Sequence, residues 1–335
     1  MTSNNQEIRR LGEADAAPEG RQSPHQQSIF RRHDLSEVDL ALYNEMKGTR
    51  DVLSDSLSGI GFRPFCTNVV SVLEKLRSTV RRGDIDMLML EANRQSRAFY
   101  NLVHEIRNDK LGRDPFLVIS IVTWRADKAL IQAFLKAGAD DVIVMPASVS
   151  FASERVENLI DSRREFVVTT GYLGPDRRSK SRITNDELGT FAVPNGLRYK
   201  TTGDESAKPS AASLRQANRI VEEHRLRRMT LRLEQLAAQG ERFASDQPGA
   251  PLPNTPLMEF LDLAEDIENR SRCADPSVTE LTASMGGIMQ AIVSGSSGSA
   301  DMFTLLKVHG QALLSLQRGD KGAIELVVRA VKTAE

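Results

Sequence analysis

Apolar positions between Val38 and about Arg164 follow two alternating patterns. Four runs have strand length: VDLALY (38–43), MLMLE (87–91), FLVISIV (116–122) and VIVM (142–145), with FRPFC (62–66) a weaker fifth. Between them apolar residues recur three and four apart, as Val52, Leu53, Leu57 and Ile60, then Val69, Val70, Leu73 and Leu76. The same period returns in Phe99, Leu102, Val103 and Ile106, in Ala129, Leu130, Ala133, Phe134 and Ala137, and in Phe151, Val156, Leu159 and Ile160. Five strands alternating with five helices predict an α/β fold, a five-stranded doubly wound parallel sheet covered on both faces. Gly138, and Gly59 or Gly61 earlier, stand where a helix end needs a left-handed residue.

Beyond the sheet the pattern changes. Residues 165–210 are polar and glycine-containing and read as a linker, with GYLGPDRR (171–178) near its start. Its cations Arg177, Arg178, Lys180 and Arg182 are either a solvated charge run or a contact for an acidic partner or phosphate. From Ser213 to Gln239 one long charged helix is expected. Its apolar positions Leu214, Ala217 and Val221, then Leu226, Met229, Leu233 and Leu236, shift phase near His224. That seam can pair with a second copy of the chain or with the helices that follow. Those helices are expected over 256–272, 276–293, 300–317 and 322–334, so that 211–335 forms a mostly α-helical interaction region. Residues 1–34, rich in Asn, Gln, Arg and Ser, are expected to be a disordered leader.

Charge and composition narrow the function. Lys plus Arg (44) balances Asp plus Glu (45), so no overall field draws the chain to nucleic acid or an anionic membrane. The best candidate for a basic recognition helix, Glu222 to Arg228, mixes acids among its bases. No run approaches the roughly 20 apolar residues that cross a bilayer. Cys66 and Cys273 stand far apart without metal-ligand spacing, which fits a reducing cytosol and a cytoplasmic location. No Ser/His/Asp set, glycine-rich phosphate loop or metal constellation is apparent, so neither enzymatic activity nor a cofactor is expected.

In a doubly wound sheet ligands bind beyond the C-terminal ends of the strands. The exits here are Asn44 and Glu45, Glu91, Thr123, and Met145 before Pro146. The segment KAGADDVIVMP (136–146) joins a helix ending in Ala-Gly-Ala to Asp140-Asp141, a strand and a residue before proline. Together with the order and spacing of the exits, it resembles the end of a bacterial response-regulator receiver domain over residues 35–164. That resemblance implies a flavodoxin-like fold and a place in two-component, or phosphorelay, signalling with other signalling proteins as partners. In the family an aspartate ending the third strand accepts a phosphoryl group and an acidic pair ending the first holds Mg²⁺. A Thr or Ser follows the fourth strand, a Lys ends the fifth, and the fifth strand often carries a switch aromatic.

This sequence departs from the family at most of those positions. The acidic pair falls on Asn44 and Glu45, the phosphoacceptor on Glu91, the lysine on Met145 and the switch aromatic on Val142; Thr123 alone matches. An amide in place of an acid weakens an octahedral oxygen site, Met145 offers no cation, and Glu91 displaces the carboxylate by about 1.5 Å. The expectation is a pseudo-receiver that binds partners without phosphoryl turnover. Glu91 is then either a solvated carboxylate or a stand-in for the phosphoryl charge, and Met145 is plain packing. Two other readings remain open. A working phosphoacceptor would use Glu91 or a nearby acid, whereas a histidine phosphotransfer module would use His309 in KVHGQALL (307–314), although Gln311 and Ala312 follow that histidine in place of the lysine and small residue of the family.

Overall fold

The structure is a computed structural model that describes residues 33–44, 47–63, 67–92, 96–178, 189–247, 254–271, 276–293 and 300–318. Most of the leader and the helix expected over 322–334 lie outside the described residues. Five parallel strands, β1 (Leu40–Tyr43), β2 (Thr67–Val70), β3 (Met87–Glu91), β4 (Val118–Thr123) and β5 (Asp141–Val144), are ordered β2-β1-β3-β4-β5. This is the flavodoxin-like order of a doubly wound sheet. Five helices cross over it: α1 (Lys47–Ile60), α2 (Leu73–Arg82), α3 (Ser96–Arg107), α4 (Lys128–Ala137) and α5 (Val149–Asp161).

Strand alternation explains why the runs read as continuously apolar. Leu40, Leu42, Met87, Met89, Val118 and Val122 meet α1 and α5 on one face, and Ala41, Tyr43, Leu88, Leu90, Ile119 and Ile121 meet α2, α3 and α4 on the other. Leu40 pairs with Met87 and Met87 with Val118, which brings the strand exits level. Asp127 caps α4 by accepting from the Ala129 and Leu130 amides, and Gly138 ends it at φ +104°.

Two expected boundaries move. Val69 and Val70 belong to β2 rather than to a helix, because Asn44 N bonds Val70 O and the two β-branched residues fit a ladder beside β1. Within FRPFC, Phe62 is buried beyond the end of α1 and residues 64–66 lie outside the described residues, so the strand begins at Thr67.

The segment expected as a linker is instead packed structure over 165–178 and 189–210. Strands β6 (Phe166–Val168) and β7 (Leu173–Pro175) form an antiparallel hairpin that Phe191 extends by one bridge. A short helix, α6 (Gly196–Thr202), buries Leu197 in the α1/α5 core, and Asn195 donates to the Leu159 carbonyl. The polar composition misleads here because few apolar residues suffice when the docking is largely through arginine and backbone.

Helix α7 (Ala211–Asp246) follows, opened by a capping box between Ser210 and Ser213. It serves two cores. Ala217 and Val221 pack on Phe116 and Phe166, whereas Met229, Leu233, Leu236 and Ala237 pack on α8 (Asn254–Ser271), α9 (Pro276–Val293) and α10 (Ala300–Gln317). The phase shift near His224 is therefore a change of packing partner within one unbroken helix. Of the two partners open to that seam, a second copy or the helices that follow, the chain's own helices occupy it. Among the described residues no helix is long and apolar enough to cross a membrane.

Candidate functional site

The sheet exits converge as the topology requires. Glu91 continues the face of Met87 and Met89 yet is buried, at 4% exposure, although its side chain ends in a carboxyl group. Its Oε1 accepts a 2.9 Å hydrogen bond from Nε1 of Trp124, whose ring packs against the α1/α5 core. The reading of Glu91 as a solvated carboxylate is thereby corrected. Thr123, fully buried, donates from Oγ1 to the Ala92 carbonyl and accepts from the Arg125 amide. Its hydroxyl proton is thus committed within the protein.

Asn44 is also fully buried. Its Nδ2 donates to Thr49 Oγ1 at 3.2 Å, its carbonyl accepts from Arg50, and its Oδ1 meets no donor among the described residues. Met145 is buried in the α1/α5 core and its amide donates to the Thr123 carbonyl, so a thioether stands where a cation would be needed. Val142 is half-buried against the opposite core. Glu45 lies outside the described residues.

The resemblance to receiver domains implies Mg²⁺ at such exits, where the described residues place Asn44 and Glu91 while Glu45 lies outside them. Among the described residues one carboxylate, Glu91, reaches the site, with one oxygen engaged by an indole N–H, and no three His, Cys, Asp or Glu side chains converge.

The opposite pole of the sheet carries a buried ion-pair network. Arg107 is buried on α3 and donates to Asp140, Gly138 O, Pro115 O and Leu117 O at 2.7–2.8 Å. Arg163 donates to the same Asp140 carboxylate and to the carbonyls of Phe116 and Pro194, and Asp140 also accepts from the Ile119 amide. Both guanidinium carbons lie 5.0–5.2 Å from the centroid of Phe166. Burial pushes the Arg107 guanidinium below its ordinary value while Asp140 opposes that shift.

This network seats the hairpin on the AGADD turn. Arg177 donates to the carbonyls of Ala139 and Asp140, and Arg178 binds Asp176 with two nitrogens. The solvated reading of these two arginines is corrected accordingly; Lys180 and Arg182 lie outside the described residues. The sequence held one unread signal, for Arg107 sits four residues after Val103, in phase with the apolar stripe of α3, where a charge must find a buried partner.

His309 does not behave as an exposed phosphotransfer histidine. It is fully buried within the helical bundle, its Nδ1 bonds the Leu305 carbonyl at 2.8 Å, and its Nε2 meets Ser284 Oγ at 2.9 Å. A carbonyl only accepts, so Nδ1 carries the proton and, in the neutral ring, Nε2 accepts from the serine. Burial pushes its pKa down. In the Glu222 to Arg228 stretch, Arg225 is engaged with Glu222 and Asn108.

No family model matches the chain, and no curated protein matches it. Solved structures similar to it include a response regulator from Thermotoga maritima, at 24% identity over 37% of this chain and 97% of that one, with a TM-score of 0.31. The receiver domain of a sensor histidine kinase, PA1611, from Pseudomonas aeruginosa PAO1, with a magnesium ion coordinated in its active site cleft, is 18% identical over 37% of this chain and 96% of its own, at a TM-score of 0.31. An orphan response regulator of H. pylori is 19% identical over 36% and 96%, at 0.29.

Proposed function

We propose that this chain is a non-catalytic signalling protein of a two-component pathway, a pseudo-receiver that engages other signalling proteins without carrying a phosphoryl group. The bond between Glu91 and Trp124 carries the reading. A phosphoacceptor must be open to its donor, whereas this carboxylate is buried and held by an indole N–H. Phosphoryl transfer relies on positioning and on neutralising charge, and Asn44 and Met145 supply neither an acid for metal nor a cation. Thr123 spends its hydroxyl on Ala92. The reading that uses His309 would require the bundle to open around a fully buried ring.

Intact-mass analysis after incubation with acetyl phosphate and Mg²⁺ tests this. Wild-type protein is expected to gain no phosphate, and Glu91→Asp alone is not expected to change that. The triple variant Asn44→Asp, Glu91→Asp, Met145→Lys restores the missing charges and is expected to recover labelling. A phosphate on wild-type protein that disappears in Glu91→Gln would establish the phosphoacceptor reading instead.

A further inference from the structure

One end of the helical bundle holds an apolar pocket of about 200 Å³ that the signalling reading leaves unused. All four helices contribute walls: Leu236 and Phe243 from α7, Leu257 and Phe260 from α8, Met289 from α9 and Phe303 from α10. Among the described residues no charged side chain lines it, and Gln239, exposed at the rim, is the one polar side chain. Gly240 fixes its shape, because a Cβ there would run into the Phe303 ring and force α10 away from α7. Farther along the seam Leu233, Met285 and Leu306 are fully buried.

The pocket opens to solvent on one side and is otherwise apolar, and cavities of about 150 Å³ lined by such side chains take up benzene-sized molecules. We infer that the bundle end is a binding site for a small uncharged aromatic molecule, about one or two fused rings in size. Three phenylalanine rings offer edges and faces to a flat guest. Absence of charge in the walls selects against ions, which would lose their hydration without compensation. Gln239 can accept or donate one hydrogen bond at the mouth, so a ring carrying a single N–H or O–H fits the polarity as well as the volume. Such a site would let the helical region respond to a ligand independently of the sheet exits.

The test titrates indole, a flat bicycle with one N–H, into the full chain labelled with ¹³C-methyl methionine, the Met289 signal being assigned by its loss in Met289→Leu. The Met289 methyl resonance is expected to move saturably, with a dissociation constant on the order of 0.1–1 mM as suits so small a ligand. Leu257→Trp, which fills the pocket, is expected to weaken binding at least tenfold. Phe243→Ala, which enlarges it from a half-buried position, is expected to shift preference toward a larger ring such as naphthalene. Should Met289 fail to respond in wild-type protein, or respond equally in Leu257→Trp, the site is overturned and the void belongs to the chain's own packing.

Discussion

Trp124 reaches across from the end of β4 and donates its indole N–H to Glu91 at the end of β3, a distance of 2.9 Å over 33 residues of sequence. Trp124 is the single tryptophan of the chain, so its fluorescence reports on the surroundings of this contact. Glu91→Ala removes the acceptor and is expected to red-shift the emission and to cost about 1–3 kcal/mol, as for a hydrogen bond to a buried charge. Glu91→Gln keeps an acceptor and is expected to shift the emission less. Identical spectra for wild type and Glu91→Ala would show that the indole is held by packing alone.

Asp140 compensates two buried guanidinium groups, so its removal leaves both Arg107 and Arg163 without their carboxylate. Asp140→Ala is expected to destabilise the protein by about 3–5 kcal/mol, measured by urea unfolding. Arg107→Met, which replaces the guanidinium stem with an apolar chain but leaves Asp140 with Arg163, is expected to cost less. An equal cost for both would mean that the guanidinium's hydrogen bonds to the Gly138, Pro115 and Leu117 carbonyls matter as much as its carboxylate partner.

Leu233 is fully buried at the centre of the bundle seam, whereas Gln235 two residues later is exposed. Leu233→Asp is expected to cost on the order of 2–5 kcal/mol, from lost burial and a charge placed in an apolar contact. Gln235→Glu is expected to stay within about 0.5 kcal/mol. Thermal unfolding of the two variants side by side distinguishes a packed seam from an exposed one.

At the start of β3, Asp86 accepts from the Asp39 amide and faces Lys200 of α6 at 3.7 Å, with Asp39 close by. Burial, the largest cause, pushes its carboxyl from 3.8 up to about 6, while the Asp39 amide and Lys200 oppose the rise and the Asp39 charge adds to it. The native chain therefore binds this proton more tightly than the unfolded chain. The stability it contributes is complete below about pH 4, falls as pH rises, and is lost above about pH 6. Asp86→Asn is expected to remove that slope, a difference of about 3 kcal/mol across the window. Parallel urea midpoints from pH 4 to 7.5 for the two proteins check it, and equal slopes would refute the assignment.

The sheet and most helices were legible because their signals are local. MLMLE and FLVISIV carry apolar residues on both pleat faces, as a strand covered on two sides must, and the helices over 276–293 and 300–317 end where their apolar stripes end. The candidate exits were legible for the same reason, since strand order fixes where chain ends meet. Missing from that reading was the orientation of side chains at those exits. Nothing in the sequence around Glu91 announces that Trp124 will close over it.

Sequence by itself determined the alternation of strands and helices, the identity of the residues at the strand exits and the helical character of the C-terminal region, because burial periodicity and helix-end glycines act within a few residues. Tertiary structure decided the rest. It turned the polar stretch after Arg164 into a hairpin and a short helix held by Arg107, Asp140, Arg163 and Arg177. It also gave one face of α7 to the hairpin and another to the bundle. A buried arginine is favourable only where a carboxylate and several carbonyls from distant segments surround it, and a helical seam is satisfied by whichever apolar surface the folded chain brings to it. Both depend on proximity in space, which local pattern does not encode.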